Sequence, residues 1–492
     1  MPANSGDRSR AQADRLSAVQ RQGVQSLLRI APVVDELGAR FVKGGYEIAL
    51  VGGSVRDALL DRLGKDLDFT TSARPADIER LLKGWADNVW AIGKEFGTIG
   101  CTKGDWVLEI TTYRSDSYDD TTRKPDVVFG DTLEGDLHRR DFTVNAMAIA
   151  LPGSEFVDPF DGLNDLAKKQ LRTPAAPQQS FGDDPLRMMR LARFAAQLGF
   201  TADPAAVEAT TAMVEQIAVK VSAERVRDEL VKLVCAPEPR RGLDLMVTTG
   251  LADHVLPELP ALRLELDEHH RHKDVYQHSL TVLDQAIDLE PRLGVDGPDF
   301  VVRFAALVHD IGKPRTRRFE SGGKVTFHHH DVVGAKLTRK RMKALRFSND
   351  EIEAVSKLVE LHLRFHGYGT GEWTDSAVRR YVRDAGHLLS RLHVLTRADC
   401  TTRNRRKAEA LRAAYDHLEE RIAYLREQEE LDAIRPDLDG NQIMAILGIP
   451  PGREVGEAYK HLLELRLEHG PLGEDRARDE LLSWWSTRTQ RG

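Results

Sequence analysis

The sequence predicts a multidomain chain of α/β plus all-α class: one mixed α/β region followed by three helical ones. Three observations predict it. At 492 residues the chain is too long for a single hydrophobic core. Short β-rich runs alternate with helical stretches and glycine turns only in the first third. Beyond that, apolar residues recur at helical spacing and one clear β signal remains. The composition, 41% apolar and 30% charged with a formal charge of -7, suggests neither disorder nor a membrane-spanning class. No apolar run approaches the ~20 residues that a membrane helix needs, so no membrane partner is expected. Three distant cysteines (Cys101, Cys235, Cys400) indicate a reducing compartment, hence a cytoplasmic location, and no thiolate metal site.

Residues 1–30 are polar, without the apolar stretch of a secretion signal, and read as a disordered or helical lead-in. Residues 31–172 form the α/β head, with strands expected at Glu47–Val51, Leu67–Thr70, Val107–Thr112 and Val127–Phe129 around a small sheet. Residues 173–262 turn helical: Leu186, Met189 and Arg193 fall on one helical face, as do Val226, Leu230 and Leu233. Residues 263–404 are helical and histidine-rich, with a hairpin expected around Gly322-Gly323. Residues 405–492 are a charged helical tail, broken at Gly448-Ile449-Pro450-Pro451-Gly452.

The head carries the chemistry. Leu50-Val51-Gly52-Gly53-Ser54-Val55-Arg56-Asp57 is a glycine-rich turn, and Asp66-Leu67-Asp68 follows. Side chains two apart on a strand share a face, so Asp66 and Asp68 project together while Leu67 and Phe69 enter the core. Convergent carboxylates bind hard cations such as Mg²⁺, and two metals can activate a hydroxyl while stabilising a leaving pyrophosphate. Glu109, an acid inside a strand, is the candidate third carboxylate. Gly52 and Gly53 admit a triphosphate to backbone N–H groups, Ser54 adds a donor, and Arg56 is suited to a phosphate oxygen.

Together these residues resemble the nucleotidyltransferases of the DNA polymerase β superfamily. More narrowly, they resemble the bacterial-type (class II) CCA-adding tRNA nucleotidyltransferases and related poly(A) polymerases, which matches the chain in order over nearly its whole length. The resemblance implies a polymerase-β-like head, a helical neck, a helical HD domain and a helical tail. Within Arg139–Ala148, Arg140, Asp141 and Asn145 resemble the family's ribose-selecting motif, a segment read as a charged helix start. Asp183-Asp184-Pro185-Leu186-Arg187-Met188-Met189-Arg190 is similar to its protein-template motif, with Asp183 where Glu is usual. A carboxylate at Asp184 can accept from the amine of cytosine or adenine while Arg187 donates to the ring, so a wrong base leaves buried groups unpaired. Arg190 is placed in the nucleotide site on the same motif. Ser222–Leu230, with an N-cap serine, would buttress the reading helix. Arg114–Asp126 resembles the flexible loop of enzymes that add all three nucleotides, and Ala91–Ile99 the CCA-adding form of its segment.

In the third region His309-Asp310 ends an apolar helix, with His278 upstream and His330, His362 and Asp399 downstream. The order resembles the HD superfamily of metal-dependent phosphohydrolases. It implies His278, His309, Asp310 and Asp399 as ligands of a divalent metal whose identity is open, and His330 and His362 as candidates for a second metal. His328 and His329 stay open as alternatives. Lys336, Arg339, Lys340 and Arg341 form a basic strip and Arg405 and Arg406 another, suited to RNA phosphates or simply to water.

The expected function is template-independent addition of C, C and A to the 3′ end of tRNA from CTP and ATP, with release of pyrophosphate and Mg²⁺ at the head. Poly(A) tailing is the alternative. A second is an HD-type hydrolase of RNA ends whose head only binds RNA. Any oligomeric partner is left open.

Overall fold

The computed structural model describes residues 27, 29–30, 32–91, 97–117, 126–130, 132–263, 274–320, 325–365, 374–401, 405–429 and 434–489. By its contacts the chain divides into two compact units, Met1–Pro257 and Glu258–Gly492.

The first unit is built on a seven-stranded sheet. Its strands are β1 (Ile48–Val51), β2 (Asp66–Thr71), β3 (Asn88–Trp90), β4 (Thr98–Lys103), β5 (Trp106–Thr112), β8 (Ala148–Leu151) and β9 (Glu155–Val157), and β6 (Arg114–Ser117) and β7 (Asp126–Phe129) pair separately. The order across the large sheet is β3-β4-β5-β2-β1-β8-β9. Every neighbouring pair is antiparallel except β2 with β5. All four expected strands form, each within a residue or so of its expected bounds. The alternation of Leu67, Phe69, Leu108 and Ile110, all fully buried, fixes which face is core.

Two local readings are corrected. Arg139–Ala148 does not open a helix. A short helix ends at His138, a 3₁₀ turn covers Thr143–Asn145, and the chain runs directly into β8. Phe142, Val144 and Met147 are all buried, so the segment is threaded through the core and has no solvent-facing helical side. Arg114–Ser117 and Asp126 are strand, paired to each other as β6 and β7; residues 118–125, the centre of the expected loop, lie outside the described residues, as do 92–96 of the Ala91–Ile99 segment.

Among the helices that follow the sheet in this unit are Leu186–Leu198, Ala223–Val234 and Pro239–Thr248. Leu186–Leu198 is buried along almost its whole length, wedged between the head and the other two helices. Its tightest crossing is at Gly242, where a Cβ would stand 2.4 Å from the Ala192 carbonyl oxygen. In the second unit, helices Val275–Leu289, Phe300–Val308, His330–Ala344, Asn349–Leu361 and Leu389–Ala398 pack as a bundle. The expected hairpin forms between Arg318–Phe319 and Val325–Thr326, with residues 321–324 outside the described set. Gly312 is the bundle's close approach: a Cβ there would lie 2.1 Å from the His330 carbonyl oxygen. The last helices, Gly440–Leu447, Arg453–His469 and Glu474–Thr489, enclose a small core of their own around Ile443, Leu462 and Leu481.

Gly242→Ala forces that crossing apart, and overpacking of this kind costs about 1–3 kcal/mol. Urea unfolding of the full chain should show the first unit's midpoint lowered and the second unit's unchanged.

Candidate active site and metal centre

The one parallel pairing in the sheet organises the first site. It sets Asp68 directly beside Glu109, and the two-residue strand period puts Asp66 on the same face. Burial raises the Asp68 carboxyl; Arg140 lowers it, Glu109 and Asp66 raise it, and the net direction is up. Carboxylates that oppose one another's ionisation are the donor set a divalent cation relieves. A pocket of about 460 Å³ opens over Asp68 and Glu109 and is walled by Gly52, Gly53, Asp141, Asn145, Asp184 and Phe194 among others. Eight arginines (Arg56, Arg114, Arg139, Arg140, Arg187, Arg190, Arg193, Arg225) line it against four carboxylates, a balance that suits a polyanion. Asp66 stands on the exposed rim, outside the pocket wall.

The glycine turn is steric in origin. Gly52 has φ 67°, and a Cβ on it would sit 2.7 Å from an Arg140 guanidinium nitrogen. Two expected donors are otherwise employed. Ser54 is buried, and its Oγ accepts from the Asp68 backbone N–H at 2.8 Å, stapling the turn to β2. Arg56 is buried and donates to Asp57 at 2.8 and 2.9 Å and to the Asn145 side-chain oxygen at 2.6 Å. Both therefore brace the turn, and Arg56 also lines the pocket.

Asp141 is the node between head and neck. Its Oδ1 accepts from Asn145 at 2.9 Å and from the Phe142 N–H at 2.8 Å, and its Oδ2 from Arg190 at 2.7 Å. Burial would raise its carboxyl, but Arg190 and Asn145 outweigh burial and hold it well below the usual range. Arg190 also faces Glu229, which pairs with Arg193 at 2.7 Å. Asp136 was not among the expected residues. It is fully buried and takes Arg139 at 2.9 Å, Arg140 at 3.1 Å and the Arg114 N–H at 3.2 Å. Its one sequence signal is helical spacing to the Arg139-Arg140 doublet.

Asp184 and Arg187 both reach the pocket but do not pair. Asp184 Oδ1 accepts the Leu186 N–H at 3.1 Å and Oδ2 accepts from Arg225 at 2.8 Å. Arg187 is buried and donates to Ser180 Oγ at 2.9 Å and to the Arg139 carbonyl. Arg225, read earlier only as part of a buttress, thus lines the site itself.

In the second unit six side chains converge. Asp310 is buried at the centre, with Oδ2 3.2 Å from His309 Nε2 and 3.5 Å from His278 Nε2, and Oδ1 3.3 Å from His330 Nε2 and 4.0 Å from His362 Nε2. Asp399 lies 3.0 Å from His278 Nε2. The Nδ1 atoms of His309, His330 and His362 sit 2.6–2.8 Å from backbone carbonyls, which turns each Nε2 inward. Burial, with His309 alongside, pushes His362 down to about 4, and its Nε2 has no hydrogen-bond partner among the described residues. A buried neutral imidazole nitrogen aimed at a carboxylate fits a metal ligand. Of the three consecutive histidines, His330 faces the cluster; His328 and His329 are exposed.

The basic strip is mixed. Lys336 and Lys340 are exposed on one helical face, while Arg339 pairs with Glu353 and Arg341 with Glu258 at 2.9 Å. Those two guanidiniums already have carboxylate partners within the chain. Arg406 is exposed; the side chain of Arg405 lies outside the described residues.

Family models match in three places: "Poly A polymerase head domain" at residues 48–172, "Probable RNA and SrmB- binding site of polymerase A" at 199–262 and "HD domain" at 275–404. The A-adding tRNA nucleotidyltransferase of Deinococcus radiodurans is 33% identical over 451 residues, 90% of this chain and 96% of that protein. The CCA-adding enzyme of Levilactobacillus brevis is 43% identical over 210 residues, a span covering about half of that protein (51%). Among solved structures, the Bacillus stearothermophilus CCA-adding enzyme in complex with CTP has a TM-score of 0.66 at 24% identity, covering 93% of this chain and 98% of that one. The Thermotoga maritima CCA-adding enzyme complexed with tRNA has a TM-score of 0.59 at 18% identity, covering 95% and 98%. These two likenesses are of fold.

Because the Asp141 carboxyl is held below its unfolded value, the stabilisation is present at neutral pH and is lost as pH falls below about 4. Asp141→Asn should cost about 3 kcal/mol at neutral pH, since it leaves Arg190 short of its partner. Urea midpoints of the first unit, taken in steps from pH 7 to pH 3, should fall less steeply in the variant than in the natural protein.

Proposed function

The chain belongs to the tRNA nucleotidyltransferase family, and on that footing we propose that it adds C, C and A to the 3′ end of tRNA from CTP and ATP, releasing pyrophosphate. The observation that carries the proposal is one pocket: the carboxylates Asp68 and Glu109 open into the same arginine-walled cavity as Asp184 and Arg187. Asp66, Asp68 and Glu109 would hold Mg²⁺, which supplies activation of the tRNA hydroxyl and stabilisation of the leaving pyrophosphate. Arg139 and Arg140, fixed by Asp136, would meet the triphosphate at the Gly52-Gly53 turn. Asp141 and Asn145 would orient the ribose, and Arg190 would hold Asp141 against them. Asp184 accepts from an exocyclic amine while Arg187 donates to the base edge, which favours cytosine and adenine over uracil and guanine. Lys336, Lys340 and Arg406 are the exposed cations suited to tRNA phosphates.

A second reading, addition of the terminal A alone, is favoured by the Deinococcus relative, which matches along 90% of the chain. The CCA-adding relatives match more closely but over shorter spans.

In the second unit we assign a divalent metal to His278, His309, Asp310 and Asp399, and a second to His330 and His362 with Asp310 between them. Such a centre suits hydrolysis of phosphate esters on RNA ends. His278, His309 and His330 would act as imidazole ligands held in place by their Nδ1 contacts, with Lys313, 2.5 Å from Asp310, set to meet a phosphate oxygen.

The deciding experiment gives purified protein labelled CTP and ATP on tRNA lacking its terminus and on tRNA ending in CC. Extension of both supports CCA addition; extension of the CC-ended tRNA alone supports the second reading; long A tracts without C overturn both. Asp68→Asn should lower incorporation more than about a hundredfold with the fold intact by circular dichroism. Arg187→Ala should erode discrimination against UTP and GTP more than it raises the KM for CTP. His309→Ala should leave incorporation within about twofold and remove one Mn²⁺ equivalent in equilibrium dialysis.

A further inference from the structure

The short hairpin of the second unit is rooted in the metal cluster. Its outgoing limb leaves Asp310 through the short helix Lys313–Thr316, and its returning limb runs into His330, so an assigned ligand stands at each root. Both roots are tied down. Lys313 Nζ lies 2.5 Å from Asp310 Oδ2, and the Phe327 carbonyl oxygen lies 2.7 Å from His330 Nδ1. In the antiparallel ladder Arg318 is opposite Thr326 and Phe319 is opposite Val325. Residues directly opposite share a face, as do residues two apart along a strand. Arg317, Phe319, Val325 and Phe327 therefore belong to one face.

That face starts at the cluster and alternates cation with ring. Lys313 Nζ stands 5.7 Å from the centre of the Phe327 ring, and the Arg317 guanidinium carbon 4.7 Å from the centre of the Phe319 ring. Phe319 is 68% exposed, so a guanidinium on one side leaves most of its ring open to solvent. Phe304, Phe347 and Phe365 of the same unit are all buried. A lone aromatic ring held out on a two-stranded hairpin contributes nothing to the core, and its open surface is suited to stacking.

The charges point the same way. Arg315, Arg317 and Arg318 form no ion pair among the described residues, and the Nε of Arg317 is buried without a hydrogen-bond partner there. Arg315 and Arg318 are exposed. The acids beside them are Glu320, which faces His328 at 3.8 Å, and Asp331 in the first turn of the next helix. Positive charge is in excess. Free guanidiniums alone suit any polyanion, but an open ring between them adds a requirement. Single-stranded nucleic acid offers phosphates and unstacked flat bases together, whereas a double helix keeps its bases inside.

We propose that this face holds a single-stranded RNA end, with one base stacked on Phe319 and the backbone on Arg315, Arg317 and Arg318, and so delivers the terminal phosphate to Lys313 and the cluster. The delivery rests on the hydrolytic reading of the cluster; the RNA-holding face does not. A small phosphate ester needs only the cluster, while a strand uses the face as well. The hairpin is thus a specificity element for polymer ends, and no bond is made or broken on it.

The test uses the full-length protein with Mn²⁺ and two substrates: a single-stranded RNA decamer ending in a 3′-phosphate, and p-nitrophenyl phosphate. Phe319→Leu should raise the KM for the decamer by about tenfold, the loss expected for one stacked base, with kcat held within about twofold. Phe319→Trp should keep the natural KM. Hydrolysis of p-nitrophenyl phosphate and incorporation of CTP and ATP should stay unchanged in both variants. Arg315→Glu with Arg318→Glu should weaken the decamer further and flatten its salt dependence. A natural KM in Phe319→Leu, or an equal loss on p-nitrophenyl phosphate, overturns the proposal. Photo-cross-linking judges the face without any hydrolysis: a decamer carrying 4-thiouridine near its 3′ end should attach at Phe319 or Arg317. If neither substrate is hydrolysed, the hydrolytic reading of the cluster fails and with it the delivery. A cross-link map that leaves the hairpin unmarked overturns the RNA-holding face itself.

Discussion

One buried carboxylate holds the first site together. Asp141 joins a 3₁₀ turn of the head, through Asn145 and the Phe142 N–H, to the neck helix through Arg190. Asn145 in turn receives Arg56, which is clamped on Asp57 beside the glycine turn. With Ser54 holding the turn to β2, the chain of contacts runs from the helix bearing Arg187 and Arg190 to the strand bearing Asp68. A buried charge is costly alone and tolerable only when fully partnered. Every member of this network is therefore constrained by the others, and the spacing between Arg187 and the carboxylates Asp68 and Glu109 follows from it.

The arginines of the pocket divide by what the protein has already done with them. Arg56 is spent on the scaffold, whereas Arg139 and Arg140 are aimed by Asp136 while keeping part of their surface exposed. Arg187 is anchored through a serine and a carbonyl, neutral partners, with the buried Asp141 carboxylate near enough to feel its charge. Prepositioning of this sort lowers the entropy cost of ordering a flexible side chain around a polyphosphate.

Much of the architecture could be read in the chain because local patterns carry it. The alternation through Leu67 and Phe69 announces β2 and the face of its two aspartates. The glycine turn was legible as a place of close approach, but that Arg140 is the group approaching Gly52 was not. The histidine order was legible as a set, but the choice of His330 over His328 and His329 was not. That choice depends on His329 taking a left-handed backbone at φ 62° just before the helix begins. Arg225 and Asp184 are 41 residues apart and form an ion pair that no periodicity encodes. Asp136 was hidden for the opposite reason: its partners are so near in sequence that the trio looks like an ordinary helix end. The strands β3, β4, β8 and β9 escaped because each is short or carries small residues such as Gly100 and Ala148, whose strand character comes from pairing and not from propensity.

The parallel pairing of β2 and β5 bears on how this site tolerates change. Parallel neighbours cannot be joined by a tight turn, so the segment between them, which includes β3 and β4, is a long excursion. The alignment of Asp68 with Glu109 is enforced by ladder hydrogen bonds between the strands and owes nothing to the length of that excursion. Insertions or deletions within it are absorbed without moving the carboxylates, whereas a single residue added inside β5 would turn Glu109 to the opposite face. Asp68 and Glu109 are in this sense insulated from drift in the very stretch of chain that separates them.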